Sequence, residues 1–313
     1  ATKTTGVIRW VELASRKTAS SDEIVLAYAD VNGDLNALIW SGSAWTEQTA
    51  AAGALSTGIE NNAAATTMRA FDVKYETLSG DLIITWGNSA TVDPRYVTRT
   101  AAGVWRGVLT ASTYIEIPSI MNIAAEPWGD RIAVGLQNDT TANSNDGDCG
   151  IWNGASWVNT VNCDVARDSQ ESGDMVLGSG WVMSGADTRA VNFYSDAADL
   201  TLDYNYWVPG TGWTTTQSFT PSPNCISASS DDNSFVVETN PFDETQMMIV
   251  RQAGTAICTQ KTAYAGANAF NFGNAGNGSS LATPSVSQYQ PVGFAYFRFV
   301  TPPANTLTIG VTS

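Results

Sequence analysis

The sequence predicts an all-β fold built from one repeated four-strand unit, and three observations predict it. A short hairpin recurs: Trp40-Ser41-Gly42-Ser43-Ala44-Trp45, Trp152-Asn153-Gly154-Ala155-Ser156-Trp157 and Trp207-Val208-Pro209-Gly210-Thr211-Gly212-Trp213. Degenerate copies run from Arg99 to Trp105 and from Arg251 to Ile257. The closing residues 45, 105, 157, 213 and 257 lie 60, 52, 56 and 44 residues apart, a self-similarity that marks a repeat architecture. Between the hairpins, segments such as Glu23–Tyr28, Phe71–Tyr75 and Asp81–Trp86 alternate apolar with polar residues, the signature of strands. Helical periodicity is nearly absent, and Asn32-Gly33, Ser79-Gly80, Asn153-Gly154 and Pro209-Gly210 supply turns.

Each repeat divides into four strands. The first is Gly6–Leu13, Ile24–Tyr28, Leu35–Trp40 and Trp45–Gln48. The second is Phe71–Glu76, Asp81–Gly87, Tyr96–Arg99 and Trp105–Leu109. The third and fourth follow the same plan around the Trp152 and Trp207 hairpins, and the fifth is Cys225–Ala228, Phe235–Glu238, Met247–Arg251 and Ala256–Gln260. Residues 265–313 remain for a sixth, with Pro291–Val300 and Thr306–Val311 its clearest strands. Four strands per unit at this period is the sequence form of a β-propeller. The expected architecture is one domain over 1–313, with six blades at roughly 1–50, 66–110, 118–165, 172–220, 224–262 and 265–313. A tandem β-sandwich is the structural alternative.

Composition narrows the function. Charged residues make up 14% of the chain, against about 25% in ordinary globular proteins, so Thr, Ser, Asn, Gly and Ala must cover the surface. That suits an extracellular or cell-surface protein. A net charge of −15 argues against nucleic-acid partners and against docking on anionic membranes. No apolar run is long enough to span a bilayer, and the start at Ala1-Thr2-Lys3 reads as a processed chain. Histidine is absent, which removes Ser-His-Asp and Cys-His catalysis. Cys149, Cys163, Cys225 and Cys258 have no C-x-x-C spacing. Both Cys149–Cys163 and Cys225–Cys258 fall within one repeat, so two disulfides and an oxidising compartment are expected. Asn138-Asp139-Thr140 and Asn277-Gly278-Ser279 carry the glycosylation tripeptide.

Three groups of residues are candidate sites. Trp40, Trp45, Trp152, Trp157, Trp207 and Trp213 either fill the wedges between blades or present indole faces to sugars. Asp30, Asn32 and Asp34 have the alternate oxygen spacing that calcium uses, the one cofactor to be considered. Asn145, Asp146 and Asp148, and Ser230, Asp231 and Asp232, form further acidic turns, although such residues are also ordinary turn chemistry. Asp72, Glu76, Glu126 and Glu238 lie near first or second strands, where a carboxylate pair would face the axis and serve a glycoside-active enzyme. Lys74 shares a face with Asp72 and Glu76, so local ion pairing competes with that reading.

Tyr28-Ala29-Asp30-Val31-Asn32-Gly33-Asp34-Leu35, followed by Trp40-Ser41-Gly42 and Trp45, resembles a blade of the six-bladed fucose-binding lectins. The resemblance implies a six-bladed propeller and a sugar held by an Arg on the second strand and a Glu on the third, beside an aromatic. The matching positions are Val25 and Ala37. The expected role is therefore structural or adhesive without catalysis, the partners being further copies, other surface proteins or glycans. A lectin-like carbohydrate binder is the alternative, and an Asp/Glu-dependent enzyme the third reading.

Overall fold

A computed structural model describes residues 6–18, 21–48, 55, 58, 69–88, 91–111, 118–138, 145–167, 177–195, 201–220, 232–253, 256–272 and 279–282. These form a β-propeller of antiparallel sheets. The first sheet is β1 (Ile8–Ser15), β2 (Glu23–Asp30), β3 (Leu35–Ser41) and β4 (Trp45–Gln48), and the second is β5 (Phe71–Tyr75), β6 (Leu82–Asn88), β7 (Thr91–Arg99) and β8 (Leu109–Thr110). The third is β9 (Pro118–Ala125), β10 (Ile132–Asn138), β11 (Asn145–Trp152) and β12 (Trp157–Arg167). In the fourth, β13 (Leu177–Ser184), β14 (Asp187–Ser195) and β15 (Leu202–Val208) are followed by β16 (Gly212–Trp213) and β17 (Gln217–Phe219), both paired to β15. In the fifth, β18 (Asp232–Thr239), β19 (Gln246–Ala253) and β20 (Ala256–Tyr264) are followed by β21 (Phe270–Asn271) and β22 (Ser279–Ala282), both paired to β20.

The fifth repeat corrects the sequence reading. Phe235–Glu238 lies in the first strand of its sheet rather than the second, so Arg251–Ile257 joins the second and third strands. The hairpin equivalent to the Trp motif is Tyr264-Ala265-Gly266-Ala267-Asn268-Ala269-Phe270, in which Tyr264 pairs with Phe270. The rungs are then 40/45, 99/105, 152/157, 207/213 and 264/270. The last gap lengthens from 44 residues to 57, in line with the others. The repeat was disguised because Tyr and Phe replace both Trp residues. What persists is a glycine in the left-handed region, at φ 93° for Gly42, 89° for Gly103, 92° for Gly154 and 86° for Gly266. Residues 264–272 and 279–282, assigned above mostly to a sixth blade, extend the fifth sheet. Pro291–Val300, Thr306–Val311 and Cys225 lie outside the described residues.

The core sits between sheets. Sheets one and two share Val25, Leu35, Ala37, Phe71 and Trp86, while two and three share Ile83, Tyr96, Met121 and Trp152. Trp181 and Trp207 of the fourth sheet pack on Ala133 and Ile151 of the third, and Phe193 and Tyr204 pack on Met247 and Ile249 of the fifth. Large rings suit this position because two flat sheets diverging from an axis leave a wedge to fill.

Among the described residues the first strand of each sheet pairs with a strand on one side only, and side chains from neighbouring sheets accept from the other edge of β9 and β13. Asp72 Oδ2 accepts the Ile123 N–H at 2.8 Å, and Asn122 Oδ1 accepts the Ser179 N–H at 2.8 Å. Thr239 Oγ1 accepts the Trp181 N–H at 2.9 Å and donates to its carbonyl at 2.8 Å. Arg69 links to Glu12 between the first two sheets.

Cys149 and Cys163 form the expected disulfide, joining β11 to β12 across 14 residues. A loop of that length is worth about 3 kcal/mol through the unfolded state. Cys163→Ser is therefore expected to lower unfolding free energy by about that amount, read from urea titrations with and without reductant. Cys258 is buried in β20.

Candidate functional site

The six hairpin tryptophans divide by burial. Trp152 and Trp207 are buried in the wedges, Trp40, Trp157 and Trp213 are half-buried, and Trp45 alone of the six is 44% exposed. The rungs place the rings together: Trp40 and Trp45 have centroids 5.6 Å apart at 50°, and Trp152 and Trp157 5.7 Å apart at 62°. Tyr96 of the neighbouring sheet adds an edge contact to Trp152 at 5.3 Å. Trp207 meets Trp181 at 6.3 Å. The motif is thus mainly a packing device, and its first copy differs. There Ser41 and Ser43 hydroxyls are 3.2 Å apart, and Asp22 stands beside Gly42, next to the exposed indole of Trp45.

The Asp30 loop has a structural task. Asp30 is buried, and Oδ1 accepts the N–H groups of Asn32 at 2.8 Å and Asp34 at 3.0 Å, while Oδ2 accepts that of Gly6 at 3.1 Å. This is an Asx staple that ties the N-terminal segment to the β2–β3 turn. Burial, helped by the Asp30 charge, pushes the Asp34 carboxyl up. Asn145 and Asp148 belong to β11 rather than to a turn. No cluster of three or more His, Cys, Asp or Glu suited to a metal occurs among the described residues. Ser230 and Asp231 lie outside those residues, as do Asp139, Thr140, Asn277 and Gly278.

Three of the four carboxylates considered for catalysis have other partners. Asp72 is buried, caps the Ile123 and Val73 N–H groups, and lies 3.6 Å from Lys74 and 3.8 Å from Arg69. Glu76 follows β5 and accepts from the Ser79 hydroxyl and from Trp152 Nε1 at 2.5 Å. Glu126 holds Arg131 in a fork, with Nε to Oε2 at 2.7 Å and Nη2 to Oε1 at 2.5 Å. Glu238, on β18, is exposed at the axis.

Arg131 was not legible as a functional residue in the sequence. Its guanidinium carbon lies 5.3 Å from the Trp181 ring centroid and 5.1 Å from that of Trp207. A cation fixed by Glu126 in the third sheet is thereby laid on two indoles of the fourth. At the next junction Asp187 accepts from the Tyr264 hydroxyl and, at 2.9 Å, from the Ala267 N–H, and Arg189 Nε donates to Asn268 Oδ1 at 2.9 Å. Burial raises the Asp187 carboxyl, but these hydrogen bonds and the Arg189 charge outweigh it and hold it low. At the first junction Glu23 takes the Tyr75 hydroxyl and Arg99, both at 3.0 Å. A sequence signal existed: a charged residue on either side of the first hairpin turn, as in Glu126…Arg131. It becomes readable once the blades are aligned.

Burial pushes the Glu76 carboxyl above its ordinary value, opposed by the Ser79 and Trp152 hydrogen bonds and aided by Asp130 and Asp81. A raised folded value gives stability that is complete below the unfolded value and fades as pH rises through the folded one. Wild type should therefore gain on Glu76→Gln as pH falls from 7 to 5, measured as the difference in urea midpoint at constant salt. An unchanged difference would count against the assignment.

No family model matches the chain, and no curated protein matches it. Solved structures do. A fucose-specific lectin from Aleuria aurantia aligns at TM-score 0.53 and 14% identity, over 89% of this chain and 82% of that one. A second structure of the Aleuria aurantia lectin, described as a six-bladed β-propeller with a novel fucose recognition mode, aligns at 0.52 and 12%, over 84% and 77%. AofleA from Arthrobotrys oligospora aligns at 0.51 and 9%, over 92% and 75%. The likeness establishes the class of protein as a β-propeller with the fold of these lectins. The positions that the resemblance assigns to an Arg/Glu pair hold Val25 and Ala37, both fully buried in the core of the first two sheets.

Proposed function

We propose that the protein is a non-catalytic carbohydrate-binding propeller acting outside the cell or on its surface, with the Trp40–Trp45 hairpin as its contact with sugar. The observation that carries this is the exposure of Trp45 beside Trp40, with Ser41, Ser43 and Asp22 around it. An indole face takes the apolar C–H face of a pyranose, and hydroxyl and carboxylate groups at its edge take the sugar hydroxyls. Asp72, Glu76 and Glu126 accept from a backbone amide, an indole and a guanidinium, which favours binding over hydrolysis. The Cys149–Cys163 disulfide suits an oxidising compartment. The fucose-specific lectin with the same fold makes fucosides a first choice of probe.

The test is a glycan array read with wild type and Trp45→Ala, with tryptophan fluorescence followed during titration of α-methyl fucoside and other neutral glycosides. Signal that disappears in Trp45→Ala supports the proposal, and signal that survives unchanged removes the hairpin from the site. A second reading, a subunit that packs against copies of itself in a surface assembly, is favoured by the exposed Val104, Val108 and Leu109 on the outer edge of the second sheet. Sedimentation at rising concentration separates the two, since only the second predicts association without sugar.

A further inference from the structure

A cavity of about 520 Å³ lies on the axis of the propeller, walled by the first strands of all five described sheets: β1, β5, β9, β13 and β18. Its volume falls in the range of about 300–1,000 Å³ typical of small-molecule sites. The two sides of its wall differ in chemistry. On one side stands a chain of ion pairs, Glu12–Arg69–Asp72–Lys74. The other side presents Val236, Val237, Gly180, Ala124 and Ala125, with Glu238 at its margin.

We infer that this axial cavity is a second ligand site, and that it takes a small neutral polyhydroxylated molecule, a mono- or disaccharide. The charges within the wall decide the class. Arg69 is buried and already flanked by Glu12 and Asp72, and Lys74 is matched by Asp72. Among the lining residues Lys17, Arg69 and Lys74 balance Glu12, Asp72 and Glu238. No net charge remains to attract an ion, while ionised groups held in place are strong hydrogen-bond partners for neutral hydroxyls. The apolar side then suits the C–H face of the same ring. Arg69 Nε is buried and has no hydrogen-bond partner among the described residues, so the ion-pair side retains donor capacity. The site shares no residue with the Trp40–Trp45 hairpin, and the inference borrows from the proposed function only the class of ligand.

The experiment is isothermal titration and saturation-transfer NMR of the full chain with α-methyl fucoside, α-methyl glucoside and trehalose at up to 20 mM. It uses wild type, Trp45→Ala, Leu13→Trp and Glu238→Gln. Leu13 lines the cavity and is 56% exposed, so a larger ring there fills space without entering the packed wedges. Binding that persists in Trp45→Ala and weakens tenfold or more in Leu13→Trp is the expected result. Glu238→Gln keeps the shape and should weaken binding severalfold, and it serves if Leu13→Trp fails to fold by circular dichroism. Absence of binding in Trp45→Ala overturns the axial site and leaves the hairpin standing. Binding unchanged in both cavity variants overturns it as well.

Discussion

Glu126→Ala is expected to destabilise the protein by about 3 kcal/mol, the scale for removing one partner of a buried ion pair. Glu126 is buried, and it fixes both Nε and Nη2 of Arg131. Without it the guanidinium stays between the sheets, over Trp181 and Trp207, with its charge uncompensated. Arg131→Met should cost less, because the methionine side chain can still lie on the two indoles. The double variant should be milder than the sum, with a coupling of about 0.5–3 kcal/mol. Urea unfolding of the four proteins in one double-mutant cycle measures this. Simple additivity would mean that the fork contributes nothing beyond its separate parts.

The second large effect is a contrast between two tryptophans in the same motif. Trp152→Ala removes a buried ring in contact with Tyr96 and Trp157, and it strips Glu76 of its Nε1 donor. Loss of about 3–5 kcal/mol is expected, from the cavity and from the carboxylate left behind. Trp45→Ala, at the closing position of the same motif in the first sheet, should change stability by about 0.5 kcal/mol or less because that ring is largely exposed. Thermal melts and urea midpoints for both variants test the contrast. Equal losses would show that Trp45 is structural, which would also weaken its assignment to sugar.

The fold was legible because its signal is periodic. Each described blade is closed by the same cross-strand rung, and a turn glycine accompanies it. The fifth copy was misplaced for a physical reason: a rung needs two large side chains, both aromatic in four of the five described sheets, and a left-handed turn residue, not tryptophan in particular. Tyr264 and Phe270 meet that need with centroids 4.9 Å apart. Arg251–Ile257 has only the outline of the motif. The junction residues were harder to see because their chemistry is not local. Asp187 and Ala267 are 80 residues apart in sequence, and Glu76 and Trp152 are 76 apart. The acidic spacing of Asp30, Asn32 and Asp34 was visible, but spacing does not say whether oxygens face a cation or a backbone amide. In the Asp30 loop the two carboxylate oxygens of Asp30 face the amides of Gly6, Asn32 and Asp34.

The capping of the first strands by Asp72, Asn122 and Thr239 bears on how this molecule can meet others. Bare strand edges are templates for pairing with foreign chains. Around the axis the backbone N–H groups of Ile123, Ser179 and Trp181, which such pairing would use, already donate to those side chains. Growth by strand exchange is therefore steered to the periphery, where β4 and β8 are only four and two residues long and β12 runs to eleven. Strands as short as β4 and β8 make poor templates, which leaves β12 as the long outer edge among the described residues on which a second copy could add a strand.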